Sequence, residues 1–234
     1  MNTAIIGYGK MGKAIEEILT ERGHNIVVKL NRKPEAGDLK GIDVAIEFSS
    51  PEAAFENIKT LLENKIPTIS GTTGWLEKLD EIKKINRENN CAFLYGSNFS
   101  LGVNLFFELN THLAKLMARY PEYKAEIEEI HHTQKLDAPS GTAISLANQI
   151  IENSEKTKWE LDHQSTQNVI PVFAKRIDNV PGTHTVSYIS EIDTIEIKHT
   201  AHTRKGFALG AVLAAEWICG KQGFFSMKDV LGLN

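Results

Sequence analysis

The feature that most constrains this chain is Gly7-Tyr8-Gly9-Lys10-Met11-Gly12, set between an apolar run and a helical pattern. Three glycines at that spacing serve three needs: Gly7 a tight turn, Gly9 close approach of backbone to a pyrophosphate, and Gly12 close helix–strand packing. The helix that opens there turns its partial positive charge toward the phosphates. The motif carries this meaning only between a strand and a helix, and the first hundred residues supply that context. Residues 3–6, 25–30, 44–48, 67–70 and 91–95 are short apolar runs bounded by turn residues, which reads as buried strands. Between them, residues 11–22, 51–64 and 76–89 carry apolar side chains at helical spacing. Such alternation implies right-handed βαβ units, hence an α/β domain with a doubly wound parallel sheet.

The pattern changes after residue 100. A long amphipathic helix (103–119), a strand (124–133) and a helix (142–153) precede three alternating strands at 169–175, 183–190 and 194–200. These later strands read as half-buried, with one sheet face packed on helices. A helical stripe returns at 207–218. The chain therefore divides into a first domain of residues 1–100 and 206–234 and a second, α+β domain of residues 101–205. Residues 154–168 are polar and read as a surface loop. At 234 residues the chain is long enough for two modest cores.

Composition narrows the function classes. With 41% hydrophobic and 24% charged residues the chain is an ordinary globular protein, not a disordered or fibrous one. A net charge of −4 without a basic run argues against nucleic acid as a partner. Cys91 and Cys219 are too few for a disulfide framework or a thiolate metal site. No apolar stretch approaches the roughly 20 residues that span a bilayer, and Met1-Asn2-Thr3 runs directly into a strand with no secretory signal. A cytoplasmic protein is expected.

The residue ending the second strand normally separates NAD from NADP use, because an acid there binds the ribose hydroxyls. This chain reads Lys29-Leu30-Asn31-Arg32-Lys33 instead. Arg32 and Lys33 suit a 2′-phosphate, Arg32 through a two-pronged fork; the alternative is a solvated basic turn. NADPH is expected to serve at least as well as NADH. Two more loops follow predicted strands on the same sheet edge: Gly71-Thr72-Thr73, and Gly96-Ser97-Asn98-Phe99. Small residues there admit a nicotinamide ring, and Thr or Asn can hydrogen-bond its carboxamide.

The most unusual stretch is His131-His132-Thr133-Gln134-Lys135-Leu136-Asp137-Ala138-Pro139-Ser140-Gly141-Thr142. Adjacent histidines at a strand end point to opposite sides, so they do not chelate one metal, and no metal is expected. A general acid or an anion contact suits a pair whose ordinary pKa is near neutrality. Lys135 adds a charge, and the helix starting after Pro139 offers free N–H groups to an anion. Two anion-attracting features side by side point to a small dicarboxylate substrate; a capped helix with solvated histidines is the bland alternative.

These residues, with Ala143, resemble the signature of the 4-hydroxy-tetrahydrodipicolinate (dihydrodipicolinate) reductases of bacterial lysine biosynthesis. The resemblance spans the chain through Gly9-Lys10-Met11-Gly12, Phe48-Ser49-Ser50-Pro51, Gly71-Thr72-Thr73-Gly74, Ser97-Asn98-Phe99-Ser100, Gly182-Thr183-His184 and Arg204-Lys205-Gly206-Phe207. It implies a Rossmann-like cofactor domain, a mixed-sheet substrate and oligomerisation domain, NADPH or NADH as cofactor, and a homotetramer. Residue by residue, it makes His131 the acid/base and Lys135 a second catalytic donor, with His132, Ser140, Gly141 and Thr142 holding substrate. Gly7 through Gly12, Asn31, Arg32, Phe48, Ser49, the loops at 71–73 and 96–99, and Arg204 would meet the cofactor. Two departures stand out: the shorter glycine turn with Lys10 in place of Arg, and Arg176-Ile177-Asp178 where many members have a glycine after the Arg.

Two other classes compete. A semialdehyde-type dehydrogenase needs an activated cysteine, whereas Cys91 and Cys219 both read as packing residues. A non-catalytic NADPH sensor has no use for Lys135 beside His131 and His132.

Overall fold

The structure is a computed structural model that describes every residue except Gln164, Ser165, Gln167, Arg204 and Asn234. The chain begins β1 (Asn2–Ile6), α1 (Lys10–Glu21), β2 (Asn25–Leu30), β3 (Val44–Glu47), α2 (Pro51–Glu63), β4 (Thr68–Ser70), α3 (Leu79–Glu88) and β5 (Ala92–Tyr95). It continues with α4 (Leu101–Met117), β6 (Lys124–His131), α5 (Gly141–Glu152), β7 (Lys158–Leu161), β8 (Val169–Arg176), β9 (Gly182–Ile189) and β10 (Thr194–Ala201). It ends with α6 (Lys205–Ile218), β11 (Gly223–Phe225) and α7 (Met227–Leu231). Two compact units result: residues 1–101 with 205–234, and residues 102–204.

The first unit is built on a six-stranded sheet of order β11-β5-β4-β3-β1-β2, in which every pairing is parallel. Strand residues alternate between its faces. Ile5, Ile46, Ile69 and Leu94 join Ile15, Ala211 and Ala215 in a core under α1 and α6. Phe93 instead packs with Ala54, Ile58 and Ile82 from α2 and α3 on the opposite face. The strand order reverses between β1 and β3, which opens a crevice at their carboxyl ends, where ligands bind in open α/β sheets.

The second unit has a mixed sheet of order β10-β9-β6-β8-β7. β6 pairs antiparallel with β9 and parallel with β8. Helices α4 and α5 cover one face through Phe106, Ala114, Leu146 and Ile150, packed on Ala125, Ile127, Val172 and Val186. Asn110 locks the two helices by donating to the Leu146 carbonyl at 3.1 Å and to Gln149 at 2.9 Å.

Three sequence expectations change. The polar surface loop expected over residues 154–168 contains β7, which pairs in parallel with β8; Gln164, Ser165 and Gln167 of that stretch lie outside the described residues. Helix α6 is followed by β11 and α7, neither of which was foreseen. The alternating strands at 183–190 and 194–200 are not equally covered: β9 is buried along most of its length, and the edge strand β10 is largely exposed.

Candidate active site

In the first unit the loops following β1, β3, β4 and β5 line up along one sheet edge. Gly7 has φ +90°, and a Cβ there would lie 2.0 Å from the Phe48 carbonyl oxygen. A Cβ on Gly12 would come within 2.5 Å of the Gly7 carbonyl oxygen, whereas one on Gly9 would meet nothing within 4 Å among the described residues. Two of the glycines thus close the turn, and the third leaves open space beside the start of α1. The N-terminus of α1 has neither a side-chain cap nor an acidic residue in its first turn. Such an end, uncovered and approachable, fits a pyrophosphate.

The Tyr8 N–H donates to Asn31 Oδ1 at 2.6 Å, tying the glycine turn to the end of β2. The next residue is engaged within its own loop: both Arg32 terminal nitrogens donate to the Asp38 carboxylate, at 2.8 and 2.9 Å. Lys33 likewise pairs with Glu56 at 2.7 Å.

Glu47, fully buried at the end of β3, knits the remaining loops together. It accepts from the Ser49 N–H at 3.0 Å, Ser70 Oγ at 2.6 Å and Thr72 Oγ1 at 3.0 Å, and also from Ser49 Oγ. Nothing in the motif reading singled it out. The Phe48 ring lies over Gly71, where a Cβ would be 2.1 Å from its edge, and packs 5.5 Å from the Phe99 ring. Phe99 is only 2% exposed, so its side chain shapes this floor from below. Gly96 donates to the Ser70 carbonyl at 3.1 Å, and Asn98 Oδ1 accepts from the Ser100 N–H at 2.8 Å. Thr73 and Ser97 are exposed at the loop tips. Arg204 lies outside the described residues.

In the second unit, strand alternation puts Ala125, Ile127, Glu129 and His131 on the buried face of β6. Register then sets His184 of β9 opposite Glu129, and Arg176 of β8 opposite His131. The Glu129 carboxylate, fully buried, accepts the Ser140 N–H at 3.1 Å on each oxygen and both Arg176 terminal nitrogens at 3.3 Å. His131 Nδ1 lies 3.5 Å from Glu129 Oε2, and His184 Nε2 lies 3.6 Å from the same oxygen. The two imidazoles stand edge to face, 5.0 Å apart. Burial by itself raises the Glu129 carboxyl, but the nearby His184 ring and the hydrogen bonds from Ser140 outweigh it and hold the group at about 2. His131 is pushed down to about 4 by burial; Glu129 opposes that shift, while His184, Lys135 and Arg176 add to it.

The rest of the segment surrounds this cluster. Lys135 Nζ reaches both Asp137 oxygens at 2.7 Å. Ser140 caps α5, its Oγ accepting from the Ala143 N–H at 3.2 Å, while Gly141 faces open space. Thr142 is half-buried in the same first turn. His132 turns away from His131 and lines a separate concavity of about 290 Å³ with Thr133, Asp178, Asn179 and Pro181.

The sequence reading brought His131, Lys135 and the start of α5 together but gave no role in the site to Glu129, Arg176 or His184. His184 is 4% exposed. Glu129, His131 and His184 present potential ligand atoms within 4.8 Å of one another, a triple not foreseen when a metal was discounted. Two cations, Lys135 and Arg176, adjoin that triple, and Glu129 is already engaged by both Arg176 and Ser140. The charge balance therefore favours an acid–base cluster over a dication. Both cysteine thiols are raised, chiefly by burial, which suits packing and not nucleophilic attack.

Family models match both parts of the chain: the dihydrodipicolinate reductase N-terminus over residues 1–99 and its C-terminus over residues 102–231. A 4-hydroxy-tetrahydrodipicolinate reductase of Christiangramia forsetii is 57% identical, covering 99% of this chain and 98% of that protein. A protein of the same name from Archaeoglobus fulgidus is 33% identical, over 99% of this chain and all of its own length. Among solved structures, the dipicolinate-bound dihydrodipicolinate reductase of Paenisporosarcina sp. TG-14 matches with a TM-score of 0.79 at 24% identity, covering 98% of both chains. A probable dehydrogenase from Thermotoga maritima shares the fold at a TM-score of 0.59 and 9% identity, covering 98% of this chain and 92% of its own. A glycine turn at the switch point of a parallel sheet, a buried acid–base cluster in a mixed sheet, and these matches over nearly every residue converge: the chain belongs to the dihydrodipicolinate reductase family.

Proposed function

We propose that this chain catalyses the NAD(P)H-dependent reduction of 4-hydroxy-tetrahydrodipicolinate to tetrahydrodipicolinate, a step of diaminopimelate and lysine biosynthesis. The net change is loss of water followed by addition of one hydride and one proton across a C=C–C=N system. When bound, the dihydronicotinamide supplies the hydride and ends oxidised by two electrons. The chain's own residues bind, orient and protonate.

The observation that carries this reading is the cluster at the end of β6, where His131 lies against a buried carboxylate and shares its surroundings with Lys135 and the start of α5. His131 is the proton donor. It is neutral in the free protein at neutral pH, so its proton arrives together with a dianionic substrate that offsets the nearby cations. Lys135 exchanges Asp137 for a substrate carboxylate and stabilises developing negative charge. Gly141 and Thr142, in the first turn of α5, complete the substrate contacts at this cluster; the family resemblance adds His132, which reaches them only if it leaves its own concavity. The dipicolinate held by the Paenisporosarcina protein supports a ring dicarboxylate as the ligand class. The open space above Gly9, the uncapped start of α1 and the Glu47-braced loops support a nicotinamide dinucleotide in the first unit.

The test is NAD(P)H oxidation followed spectrophotometrically, with substrate generated in situ from pyruvate and aspartate semialdehyde. Turnover is expected, and His131→Ala and Lys135→Ala should each lower kcat by about 10²-fold or more. Tight cofactor binding without turnover would sink the reading in favour of a sensor.

The exposed edge strand β10, with Ile195 39% exposed, is the surface through which we expect a homotetramer to form in the cytoplasm. Sedimentation at the monomer mass would overturn that.

A further inference from the structure

Glu129 is fully buried, and among the described residues its partners come from the catalytic segment and from the two strands that flank β6. Its oxygens meet the Ser140 N–H that opens α5, the Arg176 guanidinium, and the rings of His131 and His184. Burying a carboxylate is costly unless it is paired and hydrogen-bonded, and a buried ion pair is no more stabilising than packed apolar residues of the same volume. A charge kept there at full burial therefore points to a role in arranging its neighbours.

Arg176 extends the arrangement. Besides Glu129 it donates to the Lys135 carbonyl at 3.2 Å and to the Asp137 carbonyl at 2.6 Å. One guanidinium thus joins the buried carboxylate to the backbone of the loop that carries Lys135. His131 Nδ1 is buried and has no hydrogen-bond partner among the described residues, with Glu129 Oε2 the nearby acceptor at 3.5 Å. His131 Nε2 lies where a side chain on Gly182 would be, 3.1 Å from the position of its Cβ, so glycine at 182 leaves that nitrogen uncovered.

We propose that Glu129 is the positioning residue of this site: it orients His131 through Nδ1 so that Nε2 presents the proton, and through Arg176 it holds the loop that carries Lys135. This rests on the reductase reading for the identity of the reaction, but not for the geometry. The charged groups facing His131 are Glu129 on its own strand, Lys135 with its partner Asp137 on the loop, Arg176 on β8 and His184 on β9. Glu129 is the one group among those acting directly on His131 that favours its protonated form; burial, His184, Lys135 and Arg176 all act against it.

The experiment uses the full chain with ¹⁵N-labelled histidine, titrated by NMR without substrate, alongside pH profiles of kcat and kcat/KM. Glu129→Gln keeps an acceptor for the Ser140 N–H and removes the charge. It should move the His131 titration down by about one pH unit or more, weaken the Nδ1–H form, and lower kcat by about 10²-fold. Glu129→Asp should recover part of both. Arg176→Lys keeps a cation but loses the fork to the loop carbonyls. It should lower kcat while leaving the His131 tautomer in place, which separates the two halves of the proposal and supplies the test if Glu129→Gln fails to fold. A folded Glu129→Gln protein with an unmoved His131 titration and pH profile would overturn the proposal, as would an Arg176→Lys protein with wild-type kcat. Because the NMR titration needs no turnover, an inactive wild type would defeat the reductase reading while leaving the role of Glu129 decided by the His131 signals.

Discussion

Arg32 and Asp38 face each other in a two-pronged ion pair, N–O distances 2.8 and 2.9 Å, at the mouth of the loop following β2. Asp38 also accepts the Glu35 N–H at 2.9 Å, which fixes the carboxylate in place. A 2′-phosphate must therefore compete with a resident anion for Arg32, while a 2′-hydroxyl need not. Replacing Asp38 by Asn keeps an acceptor for Glu35 and frees the guanidinium. The ratio of kcat/KM for NADPH to that for NADH should then rise about threefold or more, a modest change because exposed ion pairs are weak. Arg32→Ala should lower the same ratio. A ratio that ignores both substitutions would remove Arg32 from cofactor selection.

Glu47 governs the opposite side of the same edge. Its two oxygens accept from three hydroxyls and the Ser49 N–H. Removing every acceptor at once leaves these buried donors without their shared partner. Glu47→Leu should therefore disturb the loops after β3 and β4, costing about 1–3 kcal/mol. The predicted signature is a lower Tm with a several-fold higher KM for cofactor and little change in kcat. An unchanged KM would confine Glu47 to stability.

These two carboxylates mark where the sequence became hard to read. The glycine turn and the strand–helix alternation were legible because spacing and period are local properties. The 131–142 segment was legible because base, cation and helix start are neighbours in the chain. Arg32 was read without Asp38 because the acid stands six residues on, past the position where a ribose-binding acid is normally sought. Arg176 lies 47 residues from Glu129, and the two meet only because β8 pairs with β6 in parallel, an arrangement that periodicity does not announce. Likewise β9 brings His184 to the opposite side of Glu129. β7 escaped because Lys158-Trp159-Glu160-Leu161 is short, charged and never fully buried. The three-residue β11 is shorter than any periodic signal.

Acid should weaken this fold through the β6 cluster. His131 titrates near 4 in the native protein against an ordinary 6.5, so between those values the unfolded chain binds the extra proton. Its contribution is present above pH 6.5 and is lost as pH falls toward 4. Glu129, held at about 2 against an ordinary 4.5, adds a second loss over that lower window. The His131 shift corresponds to roughly 3 kcal/mol between pH 7 and pH 4. Chemical denaturation at pH 7, 5.5 and 4 should show that decline in the wild type and a shallower one in His131→Gln. Parallel curves for the two proteins would contradict the burial of a neutral His131.

The two glycines at the start of the nucleotide turn should separate folding from binding. Gly7 has a φ that side chains rarely adopt, and a Cβ there collides with the Phe48 backbone, which cannot yield without moving the end of β3. Gly7→Ala should therefore be strongly destabilising, read as a large fall in Tm or loss of soluble protein. Gly9 lacks both constraints: its φ is −91°, and among the described residues nothing lies within 4 Å of an added Cβ. Gly9→Val should fold with a Tm within a few degrees of wild type, yet weaken NADPH binding by at least tenfold, because the new side chain fills the space that backbone N–H groups need to approach the pyrophosphate. Calorimetric titration of the folded Gly9→Val protein decides the matter. Wild-type affinity there would mean that the turn is structural and that the dinucleotide binds elsewhere along the sheet edge.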